Sequence, residues 1–323
     1  MVEEVRRGVG IVAVSAYVPE GRLDLLEAAE RYGTNEEFIR SKTGYPRVAR
    51  KTAGEETSDM AERAVREVLD GRPGLAQRLG LLIVVTQNPD GYGLPHVSAI
   101  VHGKLGLPDQ VAAFDVSLGC SGWVYGLSVA KSFMEANGIE YGLLVTADPY
   151  SKVLDAEDRN TMLLFGDAAA ATLLGRDDPR WSIGKFVFGT SGTQWQDLHV
   201  DEDRKLRMNG RGIFTFSAMR VPECLRQTLD ANGLSIDEVD RLLLHQGSRY
   251  IVETIGERAK APEKTVFSKN DIGNTVSSSI PLLLAQGVCD ADRTVLAAGF
   301  GVGLSWAATV LRTTRPGMTG NLC

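Results

Sequence analysis

Short, unbroken apolar runs recur along this chain, separated by stretches whose apolar residues repeat at helical spacing. The clearest runs are Leu81-Leu82-Ile83-Val84-Val85, Leu143-Leu144-Val145 and Leu242-Leu243-Leu244. Runs of this kind read as strands covered on both faces. Between them lie amphipathic stretches. Over 58–70, Met60, Ala64, Val65, Val68 and Leu69 share one helical face, and Glu62, Arg63, Arg66 and Glu67 take the other. The segment 221–232, with Val221, Leu225 and Leu229, behaves alike. Strands alternating with helices predict a layered α/β fold. With 323 residues, 43% of them hydrophobic, the chain has core enough for about two domains or two halves of one large fold. Disorder and a disulfide-stapled mini-protein are set aside.

The charge balance narrows the partners. Lys and Arg number 35 against 41 Asp and Glu, a net charge of -6, which gives no broad attraction to nucleic acid or an anionic membrane. No apolar run approaches the ~20 residues of a membrane span. The first residues, MVEEVRRGVG, are acidic where a signal peptide is basic, and the apolar stretch after them is short. Cys120, Cys224, Cys289 and Cys323 form no CxxC pair. A cytoplasmic, reducing setting is the expectation.

Two halves look alike in pattern. The most irregular stretch, 176–212, separates a first half (1–175) from a second (213–323). Each half carries a Gly/Ser-rich turn suited to opening a helix: FDVSLGCSG at 114–122 and DIGNTVSSS at 271–279. Cys120 lies in the first turn, ahead of an expected helix from Trp123 to Met134. A thiol at a helix N-terminus faces free amide N–H groups and the positive end of the dipole, both of which favour the nucleophilic thiolate. The other reading of Cys120 is a small buried hydrophobe. Cys224, Cys289 and Cys323 fall on a helix face, in a loop and in the tail.

His245 ends the apolar run Leu242–Leu244, where α/β sheets place their sites; a satisfied structural histidine is the alternative. His96, His102 and His199 lack that position, and His102 fits a solvent-facing place on a 97–106 helix. Asn274 suits a helix cap, with an amide donor to a carbonyl oxygen as the second role. Gly299-Phe300-Gly301-Val302-Gly303 is GxGxG with only a short tail after it, so no dinucleotide-binding βαβ unit follows. Close backbone approach to a reacting group is the better use of such glycines. Asp, Glu and His show no metal-ligand spacing, and no Walker A sequence occurs.

Taken together these segments resemble the thiolase-like condensing enzymes, specifically β-ketoacyl-(acyl carrier protein) synthase III. The residues that carry the resemblance are TNEEFIRSKTG at 34–44, the nucleophile segment 115–127 and FGDAAA at 165–170. His245-Gln246, Gly273-Asn274-Thr275 and the glycine loop 299–306 complete it. The resemblance spans nearly the whole chain. It implies a duplicated, five-layered α-β-α-β-α thiolase-like fold in which Cys120, His245 and Asn274 are catalytic. It implies an acyl-CoA primer, a malonyl-CoA or malonyl-acyl carrier protein extender, and a decarboxylative Claisen condensation through a Cys120 acyl-enzyme. CoA thioesters are then substrates, with no further cofactor and no metal. The amides of Cys120 and Val302 are implied as the oxyanion donors, and Phe38, Lys42, Arg159 and Arg249 as CoA contacts. Leu94 is implied at the acyl pocket, reached across a homodimer.

The chain departs from the family pattern in places. Val302 replaces the middle one of three glycines, and Phe38 stands where tryptophan is usual. Arg249 is offset by one residue after His-Gln, and Leu94 replaces a common phenylalanine. These changes point toward a specialised pathway. Two other activities fit the same motifs less fully: acyl transfer to an alcohol or amine without decarboxylation, and a non-catalytic partner subunit.

Overall fold

The structure, a computed structural model, describes residues 8–268 and 271–314; Cys323 and the first seven residues lie outside them. Among the described residues the first half runs β1 (Gly10–Tyr17), α1 (Thr57–Leu69), β2 (Leu79–Val85), α2 (Val97–Leu105) and β3 (Ala112–Val116). It continues through α3 (Gly122–Asn137), β4 (Tyr141–Ala147) and β5 (Ala169–Gly175). The second half repeats that order. It runs β6 (Trp181–Thr190), α4 (Gly210–Asn232), β7 (Arg241–Leu244), α5 (Arg249–Arg258), α6 (Ser279–Ala285), β8 (Thr294–Gly301) and β9 (Ser305–Thr313).

These nine strands form one sheet in the order β7-β8-β9-β6-β1-β5-β4-β2-β3, beside two short two-stranded sheets. Read outward from its middle, each half has the same plan. In the first, β1 and β5 pair antiparallel, as do β5 and β4, while β4–β2 and β2–β3 are parallel. In the second, β6–β9 and β9–β8 are antiparallel and β8–β7 parallel, with a parallel bridge from Leu242 to Thr265 where the first half has β3. The halves join where Gly10 and Ile11 pair with Ser182 and Trp181.

Alternation along each strand builds the layers. Leu82 and Val84 turn to α1 and α2, packing with Met60, Val65 and Val101. Leu81, Ile83 and Val85 turn the other way, onto Trp123 and Leu127 of α3 and Ile280 and Leu283 of α6. Leu243, Val295 and Ala297 of the second half reach the same central layer, while Leu242, Leu244 and Leu296 face α4 and α5. The result is α-β-α-β-α. Both faces of every central strand are covered, which is why those sequences read as unbroken apolar runs.

Two expectations need correction. Residues 176–212 are not irregular throughout, because they hold the ten-residue strand β6. Its exposed alternate positions, with Ser182, Lys185 and two glycines, hide the apolar signal. The helix expected over 221–232 begins at Gly210 and carries Pro222 in its interior. Proline has no N–H for the carbonyl of residue 218; the Arg258 guanidinium donates to that oxygen instead, at 3.0 Å. Among the described residues, no helix is long and apolar enough to cross a membrane.

Candidate active site

Cys120 sits in the tight turn between β3 and α3, buried at 3% exposure. The glycine loop at the end of β8 closes over it. Gly301 has φ +155°, and a Cβ there would stand 2.7 Å from the Cys120 sulfur, so only glycine leaves the thiol room. The next amide, that of Val302, donates toward the sulfur, as does the N–H of Cys120 itself. The Val302 side chain leans over Gly119, its Cγ1 only 2.6 Å from where a Cβ on that glycine would lie.

His245 continues the ladder of β7 by donating its N–H to the Ala298 carbonyl at 2.8 Å. Its Nδ1 lies 2.8 Å from the Ser279 hydroxyl, and the Phe300 ring meets it edge-on, 5.4 Å between centroids. Asn274 is held by a seam between the halves. Its N–H donates to the Leu164 carbonyl and its own carbonyl accepts from Gly166, each at 2.9 Å. Its Oδ1 accepts the Val276 N–H at 2.9 Å, closing an Asx turn just ahead of the 3-10 turn Val276–Ser278, whose N-cap is Thr275. Its Nδ2 lies 3.4 Å from the Gly247 carbonyl. Asn274 is therefore not the expected helix cap: its oxygen closes a local turn, and its amide nitrogen remains on the donor side.

The three side chains line one cavity of about 350 Å³, whose walls beside them include Phe165, Leu198, Ile213 and Phe300. This apolar enclosure sets the electrostatics. Burial pushes the Cys120 thiol up to about 12, against the pull of the Val302 and Cys120 amides. The expected thiolate is thus not the resting form: the amide donors are in place, but desolvation outweighs them. Burial pushes His245 down to about 3, so its ring is neutral. Nearby Asp148, fully buried, is pushed up to about 7 by the same desolvation, although Asn88 and the Gln87 and Asn88 backbone amides donate to it.

At the outer end, Phe38, Lys42 and Arg159 line the cavity. Arg249 does not. Its guanidinium lies over the Phe267 ring at 5.1 Å and 3.9 Å from Glu253. The one-residue offset explains this, since each step along a helix turns a side chain by about 100°. Tyr250 takes the wall position instead, stacked on Phe214 (centroids 5.0 Å apart) with the Lys42 ammonium 3.9 Å over its ring. No sequence signal marked Phe214 or Tyr250; only the contact between α4 and α5 reveals them. Leu94 stands 91% exposed and does not line the cavity of its own chain.

The sequence pattern of the 3-oxoacyl-[acyl-carrier-protein] synthase III family matches residues 114–192, and that family's C-terminal pattern matches 229–313. A β-ketoacyl-[acyl-carrier-protein] synthase III of Geobacillus kaustophilus is 36% identical over 312 residues, covering 94% of this chain and 99% of that one. The chain belongs to the 3-oxoacyl-[acyl-carrier-protein] synthase III family. It is an enzyme of the ketoacyl synthase III type, a transferase. Solved synthase III relatives agree with its thiolase-like fold. That of Thermus thermophilus superposes with a TM-score of 0.86 at 32% identity, covering 95% of this chain and 99% of that one. The priming β-ketosynthase of the R1128 polyketide pathway gives 0.86 at 28% identity, covering 96% and 98%.

Proposed function

We propose that this synthase III condenses an acyl-CoA primer with a malonyl thioester through an acyl-enzyme on Cys120. The supporting observation is the single buried cavity into which Cys120, His245 and Asn274 converge from the two halves. In the first step the Cys120 sulfur attacks the primer carbonyl. The tetrahedral oxyanion takes hydrogen bonds from the Cys120 and Val302 amides, and CoA leaves as a thiol carrying the proton that Cys120 gives up. In the second step the malonyl thioester carbonyl accepts from His245 and Asn274. The carboxylate leaves as carbon dioxide and its electron pair passes into the enolate. The enolate carbon attacks the acyl-enzyme, the β-ketoacyl thioester departs, and Cys120 regains a proton from solvent.

The test is carbon dioxide release from a malonyl thioester by wild type and Asn274→Ala. Loss of one preorganised donor lowers release by roughly 100- to 1000-fold. An enzyme that acylates Cys120 but releases no carbon dioxide with any malonyl thioester is instead an acyltransferase to another acceptor.

The proton equilibria give a second expectation. A thiol raised to about 12 is protonated at neutral pH, so its reactive fraction grows with pH, roughly tenfold per unit up to that value. His245, lowered to about 3, stays neutral across the working range. Acylation therefore climbs from about pH 6 to about pH 9 without a histidine-shaped limb near the ordinary value of about 6.5. Adduct formation followed by intact mass across that range checks it, and a midpoint near the histidine value argues for proton transfer through a charged imidazole.

The mouth supports a CoA site built on Phe38, Lys42, Arg159 and Tyr250. Tyr250→Ala removes both the stacking face and the seat of Lys42, so KM for acyl-CoA rises several-fold with kcat little changed. Arg249→Ala moves KM far less. Equal effects from the two variants contradict this assignment. Exposed Leu94 fits a homodimer in which its loop reaches the other protomer's acyl site; sedimentation of the full chain tests that.

A further inference from the structure

The second-half turn ends in three consecutive serines with three different fates. Ser277 is buried, and its hydroxyl has no hydrogen-bond partner. Ser278 ties the halves together through Thr146, hydroxyl to hydroxyl at 2.8 Å. Ser279, the first residue of α6, lies against Nδ1 of His245 at 2.8 Å. No other side chain hydrogen-bonds to that ring nitrogen among the described residues.

A neutral imidazole carries one proton, on Nδ1 or on Nε2, and the other nitrogen is an acceptor. We infer that the Ser279 hydroxyl donates to Nδ1 and thereby places the ring proton on Nε2, making Ser279 the residue that turns His245 into a hydrogen-bond donor. The shorter of the two distances from the hydroxyl carries the assignment. Two oxygens compete for the arrangement, the Ser279 hydroxyl and the Val276 carbonyl. The Val276 carbonyl accepts the backbone N–H of Ser279 and is also within reach of the Ser279 hydroxyl, at 3.1 Å, and of the His245 ring; the hydroxyl lies closer to Nδ1, at 2.8 Å. The Gln246 N–H points at the hydroxyl oxygen from 3.4 Å and takes one of its two lone pairs. Val276 itself is in the left-handed region, φ +53°, which a β-branched residue adopts only under tertiary constraint. That twist directs its N–H to Oδ1 of Asn274, so the Asn274 oxygen is occupied and its NH₂ faces the remaining direction. One strained turn thus fixes the amide orientation of Asn274 and the tautomer of His245, and both present N–H groups.

This rests on the proposed condensation for its consequence but not for its primary test. The protein has four histidines, so a nitrogen-labelled histidine spectrum is simple, and His245→Gln identifies the resonance of interest. The expected wild-type spectrum shows His245 with a protonated Nε2 and a bare Nδ1. In Ser279→Ala that preference is lost. The same variant releases carbon dioxide from malonyl-CoA roughly ten- to a hundredfold more slowly, the usual loss on removing a residue that orients a histidine, while Cys120 is acylated at the wild-type rate. A protonated Nδ1 in the wild type overturns the inference. So does a Ser279→Ala enzyme with unchanged tautomer and decarboxylation, or one that loses both half-reactions together with thermal stability. If the wild type releases no carbon dioxide at all, the condensation reading fails and the spectrum still decides the tautomer.

Discussion

Cys120→Ala forms no covalent adduct with any acyl-CoA, and condensation falls by about four orders of magnitude or more, the scale seen when a covalent nucleophile is removed. Carbon dioxide release from a malonyl thioester survives in the same variant. In the proposed condensation the two steps use different groups: the sulfur takes the acyl chain, whereas His245 and Asn274 hold the enolate oxygen, and alanine leaves both of those in place. Intact-mass spectrometry with a panel of acyl-CoAs reads the first half and identifies the primer. A radiolabelled carbon dioxide assay reads the second. An adduct on the alanine variant places the nucleophile elsewhere, at Cys323 or at one of the inner pair, Cys224 and Cys289. Both of these are buried and both have thiols that burial pushes up, to about 11 and about 12.

Gly166→Ala carries the largest expected effect on folding. A Cβ at that position would lie 1.8 Å from the Ile272 carbonyl oxygen. The obstacle is backbone, not a side chain that can swing aside. The Ile272 oxygen accepts from Ala49, the Gly166 N–H donates to Asn274, and Asp167 donates to Ala49, so the contact sits inside the seam that positions Asn274. Relief of the clash requires the 272–274 segment to move. We expect a loss of about 3 kcal/mol, at the upper end of overpacking costs, and a melting temperature lower by roughly 6 °C. Decarboxylation falls further than acylation, because Asn274 shifts while Cys120 does not. A melting temperature within about 1 °C of wild type contradicts the seam as a rigid element.

Much of this was legible because burial on both faces writes a strong apolar signature. β2, β4 and β7 stand in the sequence as unbroken runs, and the turns around Cys120 and Asn274 stand out as small residues beside them. β6 was not legible, because its alternate positions face solvent and its glycines weaken the pattern. The first half of α4 was hidden by two glycines and by Pro222, whose freed carbonyl is served by Arg258, about forty residues away in the chain. At the candidate site, the motifs singled out Cys120, His245 and Asn274, which line one cavity, but misjudged the resting thiol. A helix-start position argues for a thiolate, whereas the depth of the cavity, which is a property of the fold, argues against it more strongly. Arg249 was placed by counting along a motif, and one residue of offset on a helix turned it away from the wall. Tyr250 and Ser279 had no local signal, since each matters only through a neighbour brought from another element.

The duplicated plan has a consequence for how such a site evolves. The same junction, the turn that leads into a central-layer helix, occurs once in each half, and the two copies have divided the labour. One leads into α3 and, in the proposed mechanism, presents the sulfur that takes the acyl group. The other leads into α6 and, in the proposed mechanism, presents the Asn274 amide and orients His245 for the carbanion. A change in one copy therefore alters one half-reaction and leaves its counterpart a working scaffold.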